Sequence, residues 1–150
     1  MSTTTTTTRS TTTTTIRRDA WSFVGIGNNQ AWTVRKNGAA QGPPTPQLTP
    51  VTVRVGDTIE WRVDAIQHGL VFNTQAAAEG MLTFQPGGQL LQNSPACFPP
   101  DFTWGTNRCF VGFPAGTVLA RATVKATGSL RFTCEVHGPG NMTVTLNASP

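Results

Sequence analysis

Residues 51–63 read Val51-Thr52-Val53-Arg54-Val55-Gly56-Asp57-Thr58-Ile59-Glu60-Trp61-Arg62-Val63. Val51, Val53 and Val55 alternate with Thr52 and Arg54, and Ile59, Trp61 and Val63 alternate with Glu60 and Arg62. A period of two puts one set of side chains on one face of an extended chain, so each run reads as a strand with one buried face. Gly56-Asp57 between them is a turn. The texture continues outward, with Val144 and Leu146 alternating with Thr143 and Thr145. Expected strands are 21–27, 31–35, 51–55, 58–63, 69–72, 108–113, 118–124, 129–134 and 142–146. Thr127-Gly128 and Pro43–Pro50 supply further breaks. Residues 73–104 are less regular, with a short helical turn expected at Ala76–Glu79. Many short strands without helical periodicity specify an all-β sandwich or barrel.

Composition agrees. The chain has 150 residues, one domain's worth, with 15 Gly, 11 Pro and only 12% charged residues. No run of 18 apolar residues occurs, which excludes an integral membrane helix. The formal net charge of +4 is partly terminal: from residue 21 onward eight Lys/Arg face six Asp/Glu. No basic run with interleaved aromatics is present, which argues against nucleic acid as a partner. Residues 1–15 contain eleven Thr and cannot bury enough apolar surface to offset ordering. Residues 1–18 therefore read as a disordered Thr-rich tail, either a leader remnant or a tether, and 19–150 as the folded domain. Arg17-Arg18 is not an export signal, because Asp19, Gly25, Gly27 and Asn28 interrupt any apolar segment after it.

The chemistry concentrates in Phe132-Thr133-Cys134-Glu135-Val136-His137-Gly138-Pro139-Gly140-Asn141-Met142. Cys134 closes one expected strand and Met142 opens the next. The C-x2-H-x4-M spacing gathers a thiolate, an imidazole and a thioether on one tight loop, a donor set suited to copper. A second imidazole can come only from His68, since the chain has two His. Structural zinc favours Cys and His sets without a thioether. Two His are also too few for the His clusters of multicopper oxidases or copper nitrite reductases.

This loop resembles the C-terminal ligand loop of the cupredoxins, the blue copper proteins. Its spacing is that of plastocyanin and pseudoazurin, and Cys134-Glu135-Val136-His137 is close to the plastocyanin C-E-P-H. Val53 to Trp61 is similar to the family's approach to its first His, and the resemblance covers residues 21–150. Asp64–Gly69 is also similar to the binuclear copper domain of cytochrome oxidase subunit II. That domain needs a second Cys where Gly138 stands, so a mononuclear centre is implied.

The resemblance implies a Greek-key β-sandwich or barrel of about eight strands, with an inserted loop near 84–110. It implies one copper ion, held by His68, Cys134 and His137 in a plane with Met142 as a weak axial ligand. It implies a one-electron carrier rather than an enzyme. The edge of His137 would be the electron port, rimmed by Gly69, Leu70, Gly138 and Pro139, with Thr133 or Phe132 beneath the site. Expected partners are redox proteins such as a cytochrome, an oxidase or a reductase. The protein is expected to be a monomer, exported to the periplasm, the cell envelope or the extracellular side. A copper store or chaperone using the same ligands is the alternative.

Two departures stand out: Gly69 occupies the place of the plastocyanin Asn that ties the ligand loops, and Asn141 replaces a common Gly. Pairing Cys97 with Cys109 leaves Cys134 as the lone thiolate. Such a disulfide contributes about 3 kcal/mol in the chain-entropy model and implies an oxidising compartment. Two separate buried thiols are the alternative.

Overall fold

The computed structural model describes residues 17–26, 30–44, 50–64, 68–86, 113–137 and 141–150. In chain order these form β1 (Ala20–Gly25), β2 (Trp32–Lys36), β3 (Ala39–Ala40), β4 (Val51–Arg54), β5 (Thr58–Val63) and β6 (Val71–Phe72). Then follow α1 (Gln75–Met81), β7 (Leu82–Phe84), β8 (Val118–Val124), β9 (Gly128–Thr133) and β10 (Thr143–Ser149). One sheet has the order β3-β2-β1-β5-β8-β7 and the other β4-β10-β9-β6. Both are mixed: β1 runs parallel to β5, and β10 parallel to β4, while their other neighbours are antiparallel. The all-β sandwich expectation holds, with ten strands among the described residues instead of about eight.

The two additional strands have local causes. Asn37 (φ 51°) and Gly38 (φ 82°) both adopt left-handed backbone, as a two-residue hairpin turn of the Asn-Gly kind requires, and this pairs β2 with β3. β7 follows α1 directly, and α1 starts where Thr74 Oγ1 accepts the Ala77 N–H at 3.0 Å. The expected strand at 108–113 lies outside the described residues except for Phe113. Most of the inserted loop, Cys97, Cys109 and residues 1–16 also lie outside them.

The sheets meet through aromatic rings. Phe132 from β9 packs edge-on against Phe23 of β1, Trp32 of β2 and Trp61 of β5, with centroids 5.0, 5.5 and 5.5 Å apart. All four side chains are fully buried. They form the core that the alternating patterns point toward, and such contacts add to plain area burial.

The opposite end of the sandwich is fastened by Asp57, 1% exposed. Its Oδ1 accepts from the Asp19 N–H at 2.9 Å, and its Oδ2 from the Trp21 indole N–H at 3.0 Å and the Arg54 N–H at 2.9 Å. The same turn needs Gly56 because its backbone is left-handed, at φ 93°, a conformation that strains any residue with a Cβ. On the outer face, Glu60 binds Arg62 at 2.7 Å and Arg121 at 2.8 Å. Burial pushes the Glu60 carboxyl up, but the two arginine hydrogen bonds outweigh it and hold the group below its ordinary value.

Candidate metal centre

The site lies where β1, β5 and β9 end and β2 and β10 begin. His68 follows β5 and is fully buried. Its ring fits because β1 ends in Gly25: a Cβ there would stand 3.1 Å from His68 Cβ and Cγ. Cys134 is the first residue after β9, also fully buried. Its Sγ lies 3.3 Å from His137 Nδ1 and 3.8 Å from His68 Nδ1. The two rings are tilted at 47° with centroids 5.0 Å apart. One donor atom from each of the three residues lies within 4.8 Å of the others.

These separations fit a metal ion. Sulfur and nitrogen ligands at about 2.3 and 2.0 Å from a first-row metal stand roughly 3.5–3.7 Å apart, for angles between tetrahedral and trigonal. The observed 3.3 and 3.8 Å bracket that range. Two imidazoles and a thiolate with a nearby thioether are the donor chemistry of a blue copper centre.

Met142 is fully buried with Cys134 in the same apolar cluster. Its backbone is left-handed, φ 49°, unusual for a residue with a side chain. Two donors converge on its carbonyl: the Trp32 indole N–H at 2.6 Å and the Cys134 N–H at 3.3 Å. The ligand loop is tied across its base as well, since Thr133 Oγ1 donates to the Asn141 carbonyl at 3.0 Å. Thr133 thus braces the loop, while Phe132 lies in the core.

Burial favours the uncharged forms of Cys134 and His137. Burial pushes the Cys134 thiol above its ordinary value, and the nearby Glu135 charge adds to this. The backbone N–H groups of Gly69, His137 and Val136 act in the opposite direction. The Gly69 N–H reaches Sγ at 3.4 Å. Burial, and then the neighbouring His68, push the His137 imidazole below its ordinary value.

The structure therefore brings His68, Cys134 and His137 together and places the Met142 backbone against Cys134. His137 is partly exposed. Of the expected rim, Gly69 is buried beneath the Glu135 side chain and Leu70 lies in the apolar core. Gly138 and Pro139 lie outside the described residues. The large apolar side chain exposed beside His137 is Val136, at 38%. Sequence reading passes over Gly25, Trp32 and the position of Glu135. An isolated glycine at a strand end, marking a close approach, is the signal for Gly25.

No protein-family model and no curated protein matches the chain. Solved structures with similar folds include reduced auracyanin from the photosynthetic bacterium Roseiflexus castenholzii. That match is 20% identical, covers 87% of this chain and 97% of the other, and has a TM-score of 0.44. Rusticyanin from Thiobacillus ferrooxidans is 12% identical over 87% of this chain and 76% of its own, with a TM-score of 0.40. A laccase from Pediococcus acidilactici is 15% identical over 92% of this chain, with a TM-score of 0.44, but the match spans only 28% of the laccase.

Proposed function

We propose that the chain is a mononuclear blue copper protein of the cupredoxin kind that carries single electrons between redox partners. The observation that carries this reading is the convergence of both imidazoles of the chain on one buried thiol, beside a buried Met. His68, Cys134 and His137 would be the main ligands of a copper ion, and the Met142 thioether would be a weaker one. Copper bound there supplies a Cu(II)/Cu(I) couple.

The chain's own contribution is rigidity. Gly25 leaves His68 just enough room, the Gly69 N–H points at the Cys134 sulfur, and Trp32 holds the Met142 backbone. Ligands fixed before the metal arrives change little between oxidation states, which favours fast electron transfer. Four protein ligands leave no position for a substrate, so the reading is a carrier and not an enzyme. His137 is the one partly exposed ligand, with Val136 beside it as an apolar contact for a redox protein. Cytochromes, oxidases and reductases are the proposed partner class. A monomer working in an exported, oxidising location suits the expected Cys97–Cys109 bond. Among the described residues no helix is long and apolar enough to cross a membrane.

The test is an optical and electron paramagnetic resonance spectrum of copper-loaded protein. An intense thiolate-to-copper band is expected, and Cys134→Ser should abolish it. A band that survives in the Ser variant refutes the ligand assignment. Rapid Cu(I) transfer to an apo acceptor, combined with slow electron exchange, would instead identify a copper store or chaperone.

A further inference from the structure

Glu135 has no use in the ligand set, yet it is 1% exposed and directly follows the thiol ligand. Burying an acid is costly, and its charge acts against ionisation of Cys134. Val136, the next residue, turns outward. The Glu135 side chain lies flat over the Gly69 backbone. A Cβ on Gly69 would collide with Glu135 Oε1 and stand 2.5 Å from its Cγ and 2.7 Å from its Cδ. Gly69 is not among the residues with left-handed backbone, so glycine is required there for space and not for conformation. On its other side, Gly69 presents its N–H to Cys134 Sγ at 3.4 Å.

We propose that Gly69 and Glu135 form a steric interlock between the His68 and Cys134 segments, with Glu135 as a positioning residue. The side chain of Glu135 presses Gly69 into place, which seats the Gly69 N–H on the sulfur and fixes the His68-to-Cys134 spacing before any metal is bound. The proposal rests on the copper reading above only for its spectroscopic arm.

The test is a double-mutant cycle on the full chain with Gly69→Ala, Glu135→Ala, both together, and Glu135→Gln. In metal-free protein the readout is the alkylation rate of Cys134 under native conditions, followed by peptide mass. Gly69→Ala should speed alkylation about tenfold in wild type, the scale of coupling between touching residues. The same change should have little effect in the Glu135→Ala background, where the slot is already empty. Glu135→Gln keeps the shape without the charge, so it should protect Cys134 far better than Glu135→Ala does, both variants sharing the small gain in thiolate that loss of the charge brings. Equal effects of Gly69→Ala in both backgrounds overturn the interlock. Should Gly69→Ala fail to fold, the Gln and Ala variants decide alone, and equal protection by the two overturns it.

In copper-loaded protein, Gly69→Ala should shift the visible band and Glu135→Gln should leave it unmoved. Coupling in the alkylation cycle without any visible band in wild type would refute the copper reading and leave the interlock standing.

Discussion

Trp32→Phe isolates one bond that joins the core to the metal centre. The indole N–H donates to the Met142 carbonyl at 2.6 Å from a fully buried ring. Phenylalanine keeps an aromatic face for Phe132, whose centroid lies 5.5 Å away, but has no donor. The carbonyl keeps the Cys134 N–H at 3.3 Å, so it is not orphaned, and the net loss is that of one hydrogen bond, about 1 kcal/mol. The smaller ring also leaves a void of roughly 30–40 Å³, which at about 24 cal/mol per Å³ costs close to another 1 kcal/mol. With the lost apolar contact, the total is about 2–3 kcal/mol. Urea unfolding of metal-free protein at neutral pH measures it.

The same bond holds Met142 at φ 49°, a conformation costing a residue with a side chain on the order of 1–3 kcal/mol. The copper-loaded variant should therefore show an altered charge-transfer band as the axial side chain loosens. A Trp32→Phe protein within about 0.5 kcal/mol of wild type, well below one hydrogen bond plus a void, would falsify this account of how the axial residue is held.

Asp57→Ala should destabilise by about 3–5 kcal/mol, because three donors lose a buried charged acceptor, and Asp57→Asn should recover about half in urea unfolding. Both should leave the copper spectrum unchanged, since Asp57 sits at the far end of the sandwich. The metal-free protein should lose stability as pH falls below 6.5, because the unfolded chain protonates His137 more readily than the fold does. It should also lose stability as pH rises above 9.0, because the unfolded chain gives up the Cys134 proton first; thermal unfolding across pH checks both limbs. Met142→Leu should keep copper and colour while raising the reduction potential in voltammetry, since a donor that favours Cu(II) is lost. Peptide mapping of non-reduced protein should find Cys97 linked to Cys109, and two alkylatable thiols in the unfolded, unreduced chain would refute the bond.

The strands were legible wherever one face is buried and the run is long enough to show it. β5 and β8 occupy the ranges read from sequence, and β4 differs by one residue. β3 has only two residues, both exposed, so burial leaves no imprint on it, although Asn37-Gly38 carried its turn signal. β7 is three residues long and joined to a helix, too short for any period to appear. The cluster of His68, Cys134 and His137 was legible because its chemistry is rare in the chain: two His, and one Cys beside a Met at fixed spacing. Their supports were not. Trp32 and Met142 stand 110 positions apart, and Gly25 meets His68 only because β1 lies next to β5. Such roles arise from packing between strands and leave no pattern along the chain.

The strand order has a consequence for how the molecule is made. β1, the first described strand, lies inside its sheet between β2 and β5, and β10, the last, lies inside the other between β4 and β9. Leu146 must find Val51 across most of the domain, and pairings this distant in sequence place folding in the millisecond-to-second range. During synthesis β9 can pair with β6, but β4 has no neighbour until β10 emerges, and the loop carrying Cys134 and His137 lies immediately before β10. The second sheet can therefore close only once residues 143–149 are available, so the cluster of His68, Cys134 and His137 is braced late in folding.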